Sequence, residues 1–156
     1  MLRVEIPGWK DLEFENLALD MNGTMAIDGI IPTNVRKRIS ELAKTLSIYL
    51  LSADTHGTLE EQTTGLPAQV VRIRPKQEAE QKRDFTLKLR SDKTVAIGNG
   101  ANDVLMLKEA SLSILVLGSE GAVASAIREA DIIVPSAQDA LDLLLKPSRL
   151  RASLRR

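Results

Sequence analysis

Short apolar runs alternate with amphipathic segments along most of the chain. "LRVEI" and "DLEFEN" alternate apolar and polar positions on either side of "PGWK", which predicts an N-terminal β-hairpin over residues 1–16. From Asn16 onward the runs "NLALD", "SIYLLS", "AQVVRI", "TVAIGN", "LSILVLG" and "DIIVP" read as strands. A helix is predicted from about Pro32 to Lys44, with proline at an early helical position. Another falls near "TLEEQTTG", where Gly65 can end it, and a third along "KQEAEQKRDFTLKL", amphipathic through Ala79, Phe85 and Leu89. "NDVLMLKEA", "EGAVASAIREA" and "AQDALDLLL" complete the helical set.

Strands that are apolar throughout are buried on both faces, which is the signature of a parallel sheet. Their alternation with helices predicts right-handed βαβ units in a three-layer, doubly wound α/β fold. The 156 residues suffice for one domain with a substantial core. That domain divides into the hairpin, a core over 17–146 and a basic C-terminal tail over 147–156.

Composition narrows the partners. Lys plus Arg and Asp plus Glu number 21 each, so no global field draws the chain to nucleic acid or to a membrane surface. Without cysteine, thiolate and disulfide chemistry are excluded. No apolar run reaches membrane-spanning length and the start lacks a signal-type core, so a cytoplasmic location is expected. The end, "KPSRLRASLRR", reads as a solvated basic tail.

In open α/β sheets ligands sit beyond the carboxyl ends of the strands. Those ends carry Asp20, Ser52 and "GNGAND", Gly98 to Asp103. Asp20 can attack phosphorus as a carboxylate nucleophile. Its charge and that of a phosphate call for a hard cation such as Mg²⁺, with Asp20, Asn99, Asp103 and the Asn22 main-chain oxygen as candidate ligands. Ser52, Thr24 and the amides around Gly23 can bind phosphate oxygens, and Lys82 can stabilise charge. Lys76, Lys88 and Lys93 rival Lys82, and Thr55 rivals Ser52. His56 has no identifiable partners, and Trp9 reads as packing or interface. "GNGAND" half-matches a dinucleotide fingerprint, but Asp103 stands where its third glycine belongs. Asp20 alone could equally be a strand-end residue in a turn.

"LALDMNGTM", "YLLS", Lys82 and "AIGNGANDVLML" together resemble the four ordered motifs of the haloacid-dehalogenase-like superfamily of phosphohydrolases. Within it the chain is most similar to small soluble proteins related to the phosphorylation domain of P-type ATPases. The resemblance implies Asp20 as nucleophile, Ser52 and Lys82 as phosphate ligands and Asn102 as an amide contacting phosphate or water. It implies Asn99 as a metal ligand and Asp103 as an acid of the metal shell. The intervals where such enzymes insert cap domains are short here, so a capless site is expected. Capless relatives often oligomerise to cover their sites, which makes a homo-oligomer the expectation and Trp9 a candidate contact.

Two positions depart from the pattern. Asn22 stands where such phosphatases carry an aspartate acting as general acid and base, and Asn99 where they carry a metal-binding aspartate. An amide cannot exchange a proton usefully. The expectation is a Mg²⁺-dependent phosphohydrolase acting on a phosphorylated small molecule or nucleotide and favouring good leaving groups. The alternative is a degenerate module that binds a phosphorylated ligand or protein partner without turnover.

Overall fold

A computed structural model describes residues 1–54 and 57–156; Thr55 and His56, and the roles considered for them, lie outside the described residues. Six strands form one parallel sheet: β3 (Asn16–Asp20), β4 (Ser47–Ser52), β5 (Gln69–Arg72), β6 (Thr94–Gly98), β7 (Leu112–Val116) and β8 (Ile132–Val134). Their order is β5-β4-β3-β6-β7-β8, with β3 central, aligned with β4 through Asp20↔Leu51 and with β6 through Leu19↔Ile97. Side chains alternate between faces along each strand. Leu17, Leu19, Ile48, Leu50, Val95 and Ile97 therefore join one core, while Ala18, Leu51, Ala96 and Leu115 join another on the opposite face.

Helices α1 (Thr33–Leu42) and α6 (Ala137–Leu145) cover the first face, burying Val35, Ile39 and Leu42 from one and Ala140, Leu141 and Leu144 from the other. Helices α3 (Glu78–Lys88), α4 (Val104–Glu109) and the short α5 (Ala124–Ile127) cover the second. Helix α2 (Leu59–Thr63) links β4 to β5. "EGAVASAIREA" thus contributes a single turn of helix rather than a full element. The edge strands β5 and β8 are also less covered than an all-apolar reading predicts, because each has a neighbour on one side only; Val70 and Ile133 stay exposed.

The most buried positions of α3 are not the apolar ones. Lys82 and Thr86, one turn apart, are fully enclosed, whereas Ala79, Phe85 and Leu89 are half-buried. A helix that carries a lysine inward reads as polar at that position, so apolar periodicity does not mark its most buried side chains.

The predicted hairpin forms from β1 (Leu2–Val4) and β2 (Leu12–Phe14), paired antiparallel as a separate sheet. It seals the amino-terminal end of the main sheet, where Glu15 bonds to both Ser47 and Lys93. The C-terminal segment is not the solvated tail that its charge predicts. It forms α7 (Pro147–Leu154), which buries Leu150 completely and ties back to the hairpin through Arg151 to the Glu5 carbonyl and Arg156 to that of Pro7. Trp9 is half-buried in this contact, with Lys10 and Arg156 over its ring at 4.6 and 5.6 Å. An intrachain contact thus engages the residue expected at an interface, and it does so at the end of the sheet away from Asp20. Among the described residues no helix is long and apolar enough to cross a membrane.

Candidate active site

The connection leaving β3 runs to β4, whereas the one leaving β6 runs the other way to β7, so a crevice opens between the ends of β3 and β6. Asp20 closes the first strand and Gly98 the second. Among the described residues no intervening domain covers them: residues 21–32, between β3 and α1, form only a loop with two isolated bridges, Asn22 to Ala26 and Ile27 to Ile30.

Asp20 is 5% exposed and both its oxygens are engaged. Oδ1 accepts from Lys82 Nζ at 2.6 Å and Oδ2 from Thr24 Oγ1 at 2.7 Å. Lys82, 1% exposed, also donates to Asp103 Oδ1 at 2.7 Å and Asn102 Oδ1 at 3.5 Å. The second Asp103 oxygen accepts from the amides of Asn99 and Gly100, at 3.0 and 2.9 Å, which fixes the turn leaving β6. Gly98 serves this turn by close approach: a Cβ there would lie 2.6 Å from that of Asp103.

Two buried carboxylates therefore share one ammonium. Burial and then the Asp103 charge push the Asp20 carboxyl up to about 7, against the opposing pull of Lys82 and Thr24. Burial also disfavours the Lys82 ammonium, but Asp20 and Asp103 outweigh it and hold that pKa above the ordinary lysine range. The array is one positive charge short.

Thr24 Oγ1 lies 2.9 Å from Asn99 Oδ1 as well. One hydroxyl proton cannot serve both acceptors, so the Asp20 and Asn99 oxygens converge with only a partial donor between them. Asn99 is oriented by its own amide nitrogen, which donates to the Gly121 carbonyl at 2.9 Å and leaves the oxygen facing Asp20. Gly23, at φ +77°, passes so close that a Cβ would stand 2.7 Å from Asn99 Nδ2. Ser52 Oγ accepts from the Asp54 amide at 3.0 Å and, more weakly, from Asn22 Nδ2 at 3.5 Å. Its own proton remains available to a ligand.

Asp20, Asn22, Gly23, Asn99, Gly100 and Asn102 thus line one cleft of about 300 Å³. Ser52 sits beside it, and Lys82 and Asp103 form its buried support. Of the rival lysines, Lys76 precedes α3, Lys88 ends it and Lys93 pairs with Glu13 of the hairpin. The cleft also holds Glu78 and Glu120, which sequence reasoning passed over. Glu78 could have been found, since it stands four residues before Lys82 on one helix face. A second hollow of about 330 Å³, lined by Ile27, Pro32, Val35, Val116 and Pro135, lies behind Gly23 and is mostly apolar.

A family model for haloacid dehalogenase-like hydrolases matches residues 76–140, the stretch holding Lys82 and the Gly98–Asp103 turn. A soluble P-type ATPase-like phosphatase of Methanocaldococcus jannaschii is 25% identical over 140 residues, covering 86% of this chain and 50% of that protein. By these matches the chain is similar to the haloacid-dehalogenase-like hydrolases. An uncharacterised protein of the same archaeon shares 54% identity over 63 residues, 40% of this chain and 68% of that one. The fold recurs in 3-deoxy-D-manno-octulosonate 8-phosphate phosphatase from Moraxella catarrhalis, solved with magnesium, phosphate and KDO. That structure has a TM-score of 0.71 and 13% identity, over 90% of each chain.

Proposed function

We propose that the protein is a Mg²⁺-dependent phosphohydrolase that works through an aspartyl phosphate on Asp20. One observation carries this reading. A carboxylate at the end of the central strand is held by a buried lysine, which is itself braced by a second carboxylate on the neighbouring strand's turn. Packing alone does not require an Asp–Lys–Asp array at the floor of an open cleft, and a structural ion pair of this kind is costly to bury. As an in-line nucleophile positioned beneath a phosphoryl group, it has a purpose.

The donor set fits Mg²⁺. Among the described residues no three His, Cys, Asp or Glu side chains gather as a metal cluster, and the atoms that converge are oxygens. Asp20 and Asn99, with the Asn22 main-chain oxygen, would hold the ion. The oxygens of Asp103 are occupied by Lys82 and two amides, so it would act by fixing them. Bound there, Mg²⁺ supplies the positive charge that the array lacks.

Asp20 attacks phosphorus, and the leaving group departs with the electrons of its bond to phosphorus. Lys82 and Asn102 stabilise the phosphoryl oxygens, with Ser52, Thr24 and the Gly23 amide beside them. Water then cleaves the acyl phosphate. Asn22 cannot protonate a leaving oxygen, so nucleoside triphosphates and acyl or aryl phosphates should outpace alkyl phosphates, by on the order of 10²-fold or more. The KDO 8-phosphate ester of the structural neighbour is an alkyl phosphate and is therefore not the first choice for this chain.

A phosphatase screen with Mg²⁺, run beside Asp20→Asn, tests the proposal. Turnover that disappears in the variant supports it. Phosphate binding without turnover in either protein supports the degenerate module, which Asn22 and Asn99 favour.

A further inference from the structure

We infer that Glu78 is the base that activates the hydrolytic water, in the place of the titratable residue that position 22 lacks. The inference rests on the aspartyl-phosphate reading and extends it to the second half-reaction. Besides the nucleophile, the acids lining the cleft are Glu78 and Glu120. Glu120 is exposed on the loop after β7, and the Asp28 amide approaches it at 3.3 Å. Glu78 is joined to the catalytic array: Asn102 Nδ2 donates to its Oε2 at 2.8 Å, and the same Asn102 meets Lys82 through its oxygen.

Its position suits the task. Helix α3 follows a strand of the parallel sheet, so its first turn stands at the carboxyl-terminal end, over the cleft. Glu78 and Lys82 share one helix face a turn apart. With Lys82 touching Asp20 at the floor, Glu78 lies nearer the mouth. Water attacking in line with the bond between phosphorus and Asp20 must arrive from that side. Asn102 fixes Oε2, and Oε1 is the oxygen that meets the water.

The backbone is shaped to hold it there. Lys76 and Gln77, immediately before Glu78, both adopt left-handed conformations, at φ 70° and 54°, although neither is glycine. Gln81 holds this turn through the Arg74 amide and the carbonyls of Arg74 and Lys76, each at 2.9 Å. Backbone strain held in place by several bonds beside a cleft is a mark of positioning for function.

The step balances. Glu78 Oε1 takes a proton from water as the water oxygen bonds to phosphorus. The bond between phosphorus and Asp20 breaks, and its electron pair returns to the Asp20 carboxylate. Inorganic phosphate leaves, and Glu78 then gives its proton to solvent.

The test uses p-nitrophenyl phosphate with Mg²⁺ in stopped flow, followed by acid quench to count phosphoenzyme. Phosphorylation expels a leaving group that needs no proton, so Glu78→Gln should keep its rate while hydrolysis slows about 10²-fold or more. The variant then shows a stoichiometric nitrophenolate burst, accumulates phosphoenzyme and turns over slowly. Glu78→Asp should recover part of the hydrolysis rate. An unchanged hydrolysis rate in Glu78→Gln overturns the inference and leaves the proposed function standing. Phosphorylation and hydrolysis falling together also overturn it, because they assign Glu78 to bracing Asn102. If the unmodified protein neither turns over nor forms phosphoenzyme, the proposed function itself fails.

Discussion

Replacing Lys82 by methionine separates the charge of the buried array from its packing. The two side chains are similar in volume, so little cavity is created. What is lost is an ammonium, 1% exposed, that bonds Asp20 at 2.6 Å and Asp103 at 2.7 Å. Removing one member of a buried ion pair costs about 3–5 kcal/mol, because the remaining charge stays uncompensated. Here one cation serves two enclosed carboxylates, so the upper part of that range is expected. A domain of this size has only about 5–15 kcal/mol in total. The variant should be folded but marginal at neutral pH.

The deficit should depend on pH with a definite sign. Lys82 has a raised pKa in the folded chain, so its contribution is fully present below the ordinary lysine range and is lost only at strongly alkaline pH. In the variant Asp20 loses its cation, and its folded pKa rises beyond the value of about 7 that it already has in the parent chain. It then binds protons more tightly folded than unfolded, and stability falls as pH rises through the window between the two values. The deficit relative to the parent chain should accordingly shrink as pH is lowered from about 9 toward about 7. Urea unfolding followed through Trp9 fluorescence, at both pH values and with and without Mg²⁺, reads all of this. Added Mg²⁺ should recover part of the loss by binding the folded state alone. A loss below about 1 kcal/mol at both pH values, or one that grows on acidification, would refute the reasoning.

Restoring the acid by Asn22→Asp should raise alkyl-phosphate turnover by about 10²-fold or more and shorten the phosphoenzyme lifetime, read by steady-state rates and acid quench. Gly23→Ala places a Cβ 2.7 Å from Asn99 Nδ2 at a left-handed backbone position. Displacing Asn99 should raise the Mg²⁺ concentration needed for half-maximal turnover, at a stability cost of about 1–2 kcal/mol by chemical unfolding. Leu150→Ala empties a fully buried site under the hairpin. It should cost about 2–5 kcal/mol in unfolding while leaving the kcat of the folded fraction unchanged, since α7 and the cleft lie at opposite ends of the sheet.

Apolar runs such as "NLALD" and "TVAIG" suffice to specify a parallel sheet, because only strands covered on both faces tolerate continuous hydrophobicity. Strand-end positions then single out Asp20, Ser52 and the Gly98–Asp103 turn, and the periodicity of "PGWK" and its flanks yields the hairpin. What the sequence does not express is how distant side chains meet. The pairing of Lys82 with both Asp20 and Asp103 joins residues 62 and 21 positions apart. It depends on α3 crossing back over the sheet, and a buried lysine leaves no apolar trace. The same holds for the basic C-terminal segment, whose charges predict solvation although a single leucine, Leu150, docks it as a helix. Glu78 gains its meaning only where the first turn of α3 overhangs the cleft. Local pattern decides which elements form and which ends they expose; the long-range packing of those elements decides which charges are buried together, and burial gives those charges their chemistry.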